Sequence, residues 1–291
     1  GPAIIIANHA SSLMDAALIG ILLKRPIYYF ARGDVFINKS ITTILSWLHM
    51  MPVHNHDGGR KTLDINESSF SEGQRILSKG GIIVFFPEST SHVERQLMTF
   101  RKGVFRLAFK TATDNNFSFD IPIIPFGITY DHPVRAGKEV QVHAGKPISL
   151  LSYKKRYEEN ASATLLQVSK HAYELVHQQV LHIASKDRLV TAEHCLETNW
   201  NDFYKGSRSS WIIQHRQRLE TAQHLCGNIN QAGQTNAELL GKRCAAYYKR
   251  LGQYKIEDRS ISPAFNFPSR KIVLVCLGFP VYVAGMLLNA L

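Results

Sequence analysis

The sequence has 291 residues, of which 45% are hydrophobic and 20% are charged, and this balance excludes an intrinsically disordered chain. Its 34 Lys and Arg residues outnumber its 23 Asp and Glu residues, so the net charge is +11. Such an excess predicts an anionic partner, which could be nucleic acid, a phosphorylated substrate or an anionic lipid surface. No dense basic block or zinc-finger spacing accompanies the charge, and we therefore expect no nucleic-acid partner.

Strand-like and helix-like segments alternate along the first 150 residues. An apolar run at 3–7 predicts a buried strand, and after a polar turn the residues from 13 to 22 predict a helix. Further predicted strands lie at 81–86, 121–128 and 140–144, and helical spacing appears at 67–79 and 101–113. This alternation predicts an α/β fold in which functional residues follow the ends of strands.

The chain changes in character after residue 150. Residues 151–260 are rich in Gln, His, Lys and Glu and poor in strand-like runs. This composition predicts a helical accessory region, whose clearest helices lie at 163–184 and 208–226. The four cysteines, all in this part of the chain or beyond it, show no paired spacing, which argues against a disulfide framework.

Residues 261–291 begin with a linker and continue with an uncharged segment at 272–291. That segment is long enough to cross a bilayer, and we predict a C-terminal transmembrane segment. Arg270 and Lys271 precede it, which favours a cytoplasmic location for its N-terminal flank. The alternative is a buried helix of a soluble domain, because Pro280 and two glycines weaken a helix at this place.

A histidine and an aspartate stand where an α/β enzyme places reactive groups. His9 follows the first predicted strand directly, and Asp15 lies six positions later. Six residues of a regular helix turn by about 240°, so the side chains can meet only if His9 lies in the turn before the helix. A carboxylate on one imidazole nitrogen fixes the tautomer and leaves the other nitrogen free to take a proton. The two residues are therefore a candidate general base and its orienting acid.

Three more segments follow this pair, namely GDVFINK at 33–39, FPESTSH at 86–92 and IPIIPF at 121–126. Together with NHASSLMD at 8–15, and in this order, they resemble the four blocks of the glycerolipid acyltransferase superfamily. That superfamily includes glycerol-3-phosphate and lysophosphatidate acyltransferases. The resemblance covers residues 1–150 and implies that they form an acyltransferase catalytic domain, with a mixed sheet flanked by helices.

The blocks depart from the commonest family pattern at several positions. The spacing from histidine to aspartate is one residue longer, Lys39 stands where an arginine is usual, and Ser89 replaces a glycine. Ser91 and His92 replace an Arg-Ser pair. With the residues at 96–103, these departures resemble the fungal-type dual-substrate branch, which acts on glycerol-3-phosphate or dihydroxyacetone phosphate, and its bacterial relatives.

The resemblance implies a role for each matching residue. His9 would remove the proton of the acceptor hydroxyl as it attacks the acyl thioester, and Asp15 would hold His9. Glu88 would bind the hydroxyls of the acceptor, and nearby cations would bind its phosphate. The substrate-binding residues predicted in this way are Lys39, Glu88, Ser89, Thr90, Arg101 and Lys102.

The function implied is that of an O-acyltransferase of phospholipid synthesis, with no metal and no bound cofactor. The donor would be acyl-CoA or acyl carrier protein, and the acceptor glycerol-3-phosphate. The protein would work at a membrane containing anionic lipid, with its active site on the cytoplasmic face. One alternative is 1-acylglycerol-3-phosphate as the acceptor. Another is a membrane-tethered protein that binds lipid phosphates without turnover, because the third block is altered.

Two other chemistries compete with this interpretation. Ser11 or Ser12 could act as a nucleophile beside His9 in a hydrolase, but no Gly-x-Ser-x-Gly sequence occurs in the chain. His54 and His56 could hold a metal, since alternate residues of a strand share one face, and Asp57 could join them. That segment is more typical of a polar loop, and we expect no metal site.

Overall fold

The computed structural model describes residues 1–53, 60–132, 139–203 and 211–258. The described residues form six strands: β1 (Ala3–Ala7), β2 (Ile27–Arg32), β3 (Met50–Val53), β4 (Ile82–Phe85), β5 (Ile123–Tyr130) and β6 (Val140–Ala144). They also form nine α-helices: α1 (Ser12–Leu22), α2 (Lys39–Trp47), α3 (Arg60–Ser78), α4 (Gly103–Asp114), α5 (Lys154–Glu159), α6 (Ala161–His177), α7 (Leu189–Phe203), α8 (Trp211–Gln231) and α9 (Gln234–Tyr254).

The strands form one mixed sheet in the order β3-β2-β4-β1-β5-β6. The first five strands run parallel, and β6 pairs antiparallel with β5 at the edge. β1 is paired on both sides and all five of its residues are buried, which explains its continuous apolar run. Because β1, β2 and β4 run in the same direction, the turns that follow them lie at one edge of the sheet.

Two hydrophobic cores lie on opposite faces of the sheet, because successive side chains of a strand point to opposite sides. Ile4 and Ile6 of β1 belong to the core that α3, α4 and α6 cover. Ile5 belongs to the other core, which α1 covers through Ala16 and Ile19. Among the described residues, α1 is the one helix that contributes buried side chains to this second core.

The chain around α6 lies directly on the sheet. Val168, Ala172 and Val176 of α6 are fully buried in the first core. Gly127 of β5 permits the close approach, since a Cβ atom at that position would lie 2.3 Å from the carbonyl oxygen of Gln179. Side chains beyond residue 150 therefore help to build the core beneath the predicted catalytic residues.

The chain forms two compact units, and the first consists of 1–189 together with 219–231. The second unit contains the described residues of 190–218 and 232–258. In this second unit the rings of His194 and Tyr248 stack with their centroids 4.0 Å apart, and the Sγ atoms of Cys195 and Cys244 are 3.7 Å apart. The predicted boundaries at residues 150 and 260 stay predictions.

The structure confirms the predicted α/β fold with a mixed sheet. Within the first 150 residues, three strands and helices were not predicted, namely β2, α2 and β3. The predicted transmembrane segment at 272–291 and the His54, His56 and Asp57 cluster lie outside the described residues. In the part of the chain that the structure describes, no helix combines the length and the apolar character needed to cross a membrane.

Candidate active site

The turn between β1 and α1 is fixed by Asn8. The Nδ2 atom of Asn8 donates to the carbonyl oxygen of Ile128 at 2.9 Å, and the Ile128 amide donates back to Oδ1 at 2.7 Å. This side chain thus continues the pairing of β1 with β5 beyond the end of β1. The next residue, His9, is thereby held at the carboxyl edge of the sheet.

His9 and Asp15 form a hydrogen-bonded pair. The distance from His9 Nδ1 to Asp15 Oδ2 is 2.9 Å, with His9 in the turn and Asp15 near the start of α1. The Asp15 side chain is fully buried, whereas the imidazole is 18% exposed. An ionised carboxylate can only accept hydrogen bonds, so Nδ1 carries the proton and Nε2 keeps its lone pair. Within the described part of the chain, Nε2 makes no hydrogen bond, which leaves it free to act as a base.

Two further donors hold Asp15 in place. The Ser11 amide donates to Oδ2 at 2.8 Å, and the Tyr130 hydroxyl donates to Oδ1 at 2.6 Å. Burial and the bond to Asp15 raise the pKa of Tyr130 far above its ordinary value, so the hydroxyl stays a donor at neutral pH. Each oxygen of the buried carboxylate therefore has a donor, and its orientation is set by the protein.

Glu88 joins the turn after β4 to the turn after β1. Its Oε1 atom accepts from the His9 amide at 2.8 Å. Its Oε2 atom accepts from the Met98 amide at 2.7 Å and is 2.8 Å from Nε2 of His92. The Glu88 side chain has 0% exposure. Three of about four acceptor positions of the carboxylate are therefore occupied, and its predicted contact with the acceptor hydroxyls would use the remaining one.

The segment from 86 to 92 holds His9 in two further ways. The ring of Phe86 stacks on the imidazole, with centroids 4.1 Å apart and planes 16° apart. The His92 amide donates to the His9 carbonyl oxygen at 3.0 Å. The ring, the amide and the carbonyl of His9 are thus all in contact with one segment. An imidazolium formed at His9 would lie over an aromatic face, which stabilises a cation.

Ser89 has a backbone φ of 69°, in the left-handed region. A glycine is usual at this position of the family pattern, and a residue with a Cβ atom costs about 1–2 kcal/mol more there. The turn is closed by a bond from the Ser89 amide to the Phe86 carbonyl at 3.2 Å. Ser89 is half-buried and Thr90 is exposed. The sharp turn brings Glu88 back toward His9 even though a serine occupies the strained position.

The three predicted phosphate-binding cations lie at the starts of two helices. Lys39 is the first residue of α2, and Arg101 and Lys102 directly precede α4. All three side chains are exposed. The Arg101 amide donates to the Pro87 carbonyl at 2.8 Å, which places the main chain of Arg101 next to Glu88. No hydrogen bond or ion pair joins Lys39 to His9 or Glu88 in the described part of the chain.

Sequence reasoning missed three contributors to this site: Tyr130, His92 and Arg95. Arg95 is buried and donates from Nη2 to the Asp131 carbonyl at 3.0 Å. Together with His9, Glu88 and several apolar residues, these three line a cleft beside the predicted catalytic pair. Glu88 and His92 are four positions apart, but residues 88–92 form a turn and not a helix, so this spacing did not predict their bond. Tyr130 lies 115 positions from Asp15, and no local pattern could have suggested it.

His182 supports the loop that reaches Glu88. Its Nδ1 atom accepts from the Leu97 amide at 3.0 Å, directly before Met98. Burial lowers the pKa of His182, and the neighbouring His177, 4.8 Å away between ring centroids, lowers it further. Burial also lowers the pKa of His177. The bond to Leu97 requires Nδ1 without a proton, so the neutral ring is the form that the fold uses.

We therefore expect the free energy of unfolding to fall on acidification. The pKa of each ring is lower in the folded protein than its ordinary value of 6.5. The stability is thus complete above that value and is lost as the pH falls through it toward the lowered values. His182→Ala should lower the free energy of unfolding by about 1–3 kcal/mol at neutral pH, because the buried Leu97 amide loses its acceptor.

Urea unfolding at about pH 7.5 and about pH 5.5 measures both effects, and the variant should show the smaller pH dependence. His224, which is exposed on α8, provides the control, since His224→Ala should keep the wild-type dependence. An equal pH dependence in the His182 variant and the wild type would contradict this assignment.

Among the described residues, no group of three or more His, Cys, Asp or Glu side chains could hold a metal ion. Comparison with known proteins shows that residues 1–129 match the Acyltransferase family model. A chloroplastic 1-acyl-sn-glycerol-3-phosphate acyltransferase of Arabidopsis thaliana is 28% identical over 110 residues, or 38% of this chain and 29% of that protein. Another 1-acyl-sn-glycerol-3-phosphate acyltransferase, from Chlamydomonas reinhardtii, is 26% identical over 148 residues, or 50% of this chain and 40% of that protein.

A solved structure that is also similar is that of the 1-acyl-sn-glycerophosphate acyltransferase PlsC from Thermotoga maritima. It has 20% identity and a TM-score of 0.41, over 60% of this chain and 65% of that chain. This chain spans less than half the length of the curated relatives it matches. The family match and the relatives support the glycerolipid acyltransferase superfamily. They do not confirm the fungal-type dual-substrate branch.

Proposed function

We propose that this chain transfers a fatty-acyl group from an acyl thioester to a hydroxyl of a glycerol-phosphate-type acceptor. The observation that carries the proposal is the bond between His9 and the buried Asp15, which leaves His9 Nε2 as a base at the carboxyl edge of the sheet. The family match over residues 1–129 and the names of the relatives support acyl transfer. Neither a metal nor a bound cofactor is required, because a thioester already carries an activated acyl group.

The reaction follows from the geometry around His9. Nε2 takes the proton of the acceptor hydroxyl as the hydroxyl oxygen attacks the thioester carbonyl. The C–O bond forms, the C–S bond breaks, and the leaving thiolate receives the proton that His9 took. The charge of Asp15 and the face of Phe86 stabilise the imidazolium between these two steps. A positioned base of this kind contributes a factor of about 10²–10⁴.

Glycerol-3-phosphate is the acceptor that we propose first. The longer spacing from His9 to Asp15 and the pair Ser91-His92 resemble the branch that uses it. The second candidate is 1-acylglycerol-3-phosphate, which the names of the relatives from Arabidopsis and Chlamydomonas favour. The donor is acyl-CoA or acyl carrier protein. We place the reaction at a membrane surface, and the cytoplasmic orientation of the site stays a prediction.

Release of free thiol from acyl-CoA by the 291-residue chain tests these assignments. Release that depends on glycerol-3-phosphate supports the first acceptor, and release that depends on 1-acylglycerol-3-phosphate supports the second. Binding of either acceptor without thiol release would identify a lipid-phosphate binding protein instead. The strained Ser89 is the feature that favours this non-catalytic alternative.

The phosphate of the acceptor should bind the exposed cations at the starts of α2 and α4. Lys39→Ala and Arg101→Ala are each expected to raise the KM for the acceptor by roughly tenfold or more, because a charge-assisted bond is lost. The KM for the acyl donor should change little. Lys110 provides a control, because it is exposed on α4 and is paired with Asp114. A donor KM that rises together with the acceptor KM would show that the residue contacts the donor or is structural.

Glu88 acts, in our proposal, by holding the main chain of His9. Glu88→Gln puts an amide group where a carboxylate accepts three donors, so at least one bond is lost. We expect kcat to fall by about 10–100-fold with little change in the KM for the acceptor, because a displaced base slows the chemical step.

If Glu88 instead bonded the acceptor directly, Glu88→Gln would raise the KM for the acceptor and change kcat less. His92→Gln serves as the conservative variant, since it keeps an N–H donor for Glu88 and should retain most of kcat. His92→Ala should lose more of kcat than His92→Gln. Thermal unfolding of all three variants shows whether a loss of kcat comes from a displaced base in a folded protein or from a damaged fold.

A further inference from the structure

Helix α1 presents an apolar half to the outside of the sheet. Successive residues of a helix are about 100° apart, so Asp15 and Ile19 lie on the half that faces the sheet and are fully buried. On the opposite half, Leu13 and Ile21 are 61% and 82% exposed. We call this half the apolar face, and its members are Leu13, Met14, Ala17 and Ile21. No polar side chain interrupts it.

Exposed hydrophobic side chains are concentrated in and near this helix. Nine of the 18 large hydrophobic residues that are exposed in the described chain lie between Leu13 and Leu48. They include Ile37, Ile44 and Trp47 in and around α2, a helix in which no residue is buried. α2 begins after β2, at the same edge of the sheet as α1. A concentration of this kind marks an interaction surface, because scattered exposed residues would be spread along the chain.

The charges in the same stretch are positive. Of its two acidic residues, Asp15 is buried and Asp34 is paired with Arg32. Lys24 lies two residues after the end of α1, is exposed, and has no ion pair among the described residues. Arg25 donates to two carbonyl oxygens, which leave its charge uncancelled. Lys39 adds a third positive charge at the start of α2.

We propose that the apolar face of α1 and the exposed side chains of α2 lie against the surface of an anionic phospholipid bilayer. The apolar side chains would enter the boundary of the hydrocarbon, and Trp47 would lie at the level of the head groups. Lys24 and Arg25 would meet the lipid phosphates, which supply the complementary charge. An anionic bilayer is the occupant that matches both features, since it offers apolar contact and negative charge in one plane.

This inference rests on the proposed function and makes it more specific. The apolar face begins at Leu13, four residues after His9 and at the edge of the sheet where His9 lies. The catalytic base would therefore stand at the lipid surface. An acyl chain could then pass between the bilayer and the site without crossing water.

The test uses the 291-residue chain and vesicles of phosphatidylcholine, alone or mixed with phosphatidylglycerol, that contain a photoactivatable phospholipid. After flotation and illumination, the peptide that spans 12–24 should carry the lipid label. The double variant Leu13→Gln/Ile21→Gln should bind the mixed vesicles about tenfold more weakly or worse. Lys24→Gln should weaken binding about fivefold, and only for the vesicles that contain phosphatidylglycerol.

The matched control is Leu151→Gln/Leu166→Gln, whose leucines are 43% and 57% exposed outside this stretch, and it should bind like the wild type. An unlabelled 12–24 peptide in vesicle-bound protein would overturn the proposal, as would a double variant that binds like this control. Self-association that excludes the label and disappears in the double variant would also overturn it, by showing that a second copy covers the face. Circular dichroism confirms that each variant is folded.

Thiol release from a short-chain acyl-CoA, measured without vesicles, separates this proposal from the proposed function. The double variant should keep wild-type release in that assay, because its substitutions lie outside the catalytic pair and the cleft. Labelling of the 12–24 peptide in a chain that releases no thiol would support the lipid surface and contradict the acyltransferase assignment. Thiol release without labelling would support the acyltransferase assignment and contradict the lipid surface.

Discussion

His9→Ala should lower acyl transfer by about 10²–10⁴-fold while the protein stays folded. The reason is that Nε2 of His9 is the nitrogen without a hydrogen bond in the described structure, whereas Nδ1 is held by Asp15. His9 lies in a turn and its imidazole is 18% exposed, so its removal leaves no large cavity in either core. Thiol release under single-turnover conditions measures the chemical step directly.

The control for this substitution is an exposed histidine outside the site. His224→Ala on α8 should leave the rate unchanged. Thermal unfolding of the His9 variant should match the wild type within a few degrees. A variant that keeps more than about a tenth of the wild-type rate would remove His9 from the role of general base.

Asp15→Asn should lower kcat by about 10²–10⁴-fold with a small effect on the KM of either substrate. An asparagine oxygen can still accept from the Ser11 amide and from Nδ1 of His9, and its amide can donate to the Tyr130 hydroxyl oxygen. The geometry is therefore kept while the charge that stabilises the imidazolium is lost. The loss should appear in the chemical step and not in binding.

Tyr130→Phe is the matched control, because it removes one hydrogen bond to Asp15 and leaves the charge in place. We expect it to lower kcat by less than about tenfold. If the asparagine variant and the phenylalanine variant lose the same amount, Asp15 acts through its position alone. If neither variant loses activity, the pair is not catalytic.

Much of the sheet could be predicted from the sequence. β1 is paired on both sides and covered on both faces, so every position has to be apolar, and such a run is visible without a structure. β3 was missed because it has four half-buried residues, one of them Pro52, and pairs on one side with β2. α2 was missed although Ile41, Ile44 and Leu45 have helical spacing, and it is a short helix of nine residues.

The local order of the candidate site could also be predicted. The position of His9 between a buried strand and a helix, with Asp15 on that helix, allowed one contact geometry, and the structure shows these two side chains at 2.9 Å. This was possible because the two residues are six positions apart, within one turn and the first part of one helix. Strand ends at one edge of a parallel sheet also placed the FPESTSH segment near them.

The sequence by itself thus determined the α/β alternation, the strand that carries His9 and the short-range pair that His9 forms with Asp15. The tertiary structure alone decided what holds that pair. The carboxylate of Glu88 accepts from residues 79 positions before it and 10 positions after it, and Tyr130 reaches Asp15 across 115 positions. A buried carboxylate takes whichever donors the packed chain brings to it, and chain segments that meet across a sheet leave no periodic pattern in sequence. The exposure of the outer half of α1 was also decided by the tertiary structure. The apolar residues of a helix show which side chains it could bury, and the packing of the other elements decides which of them stay exposed.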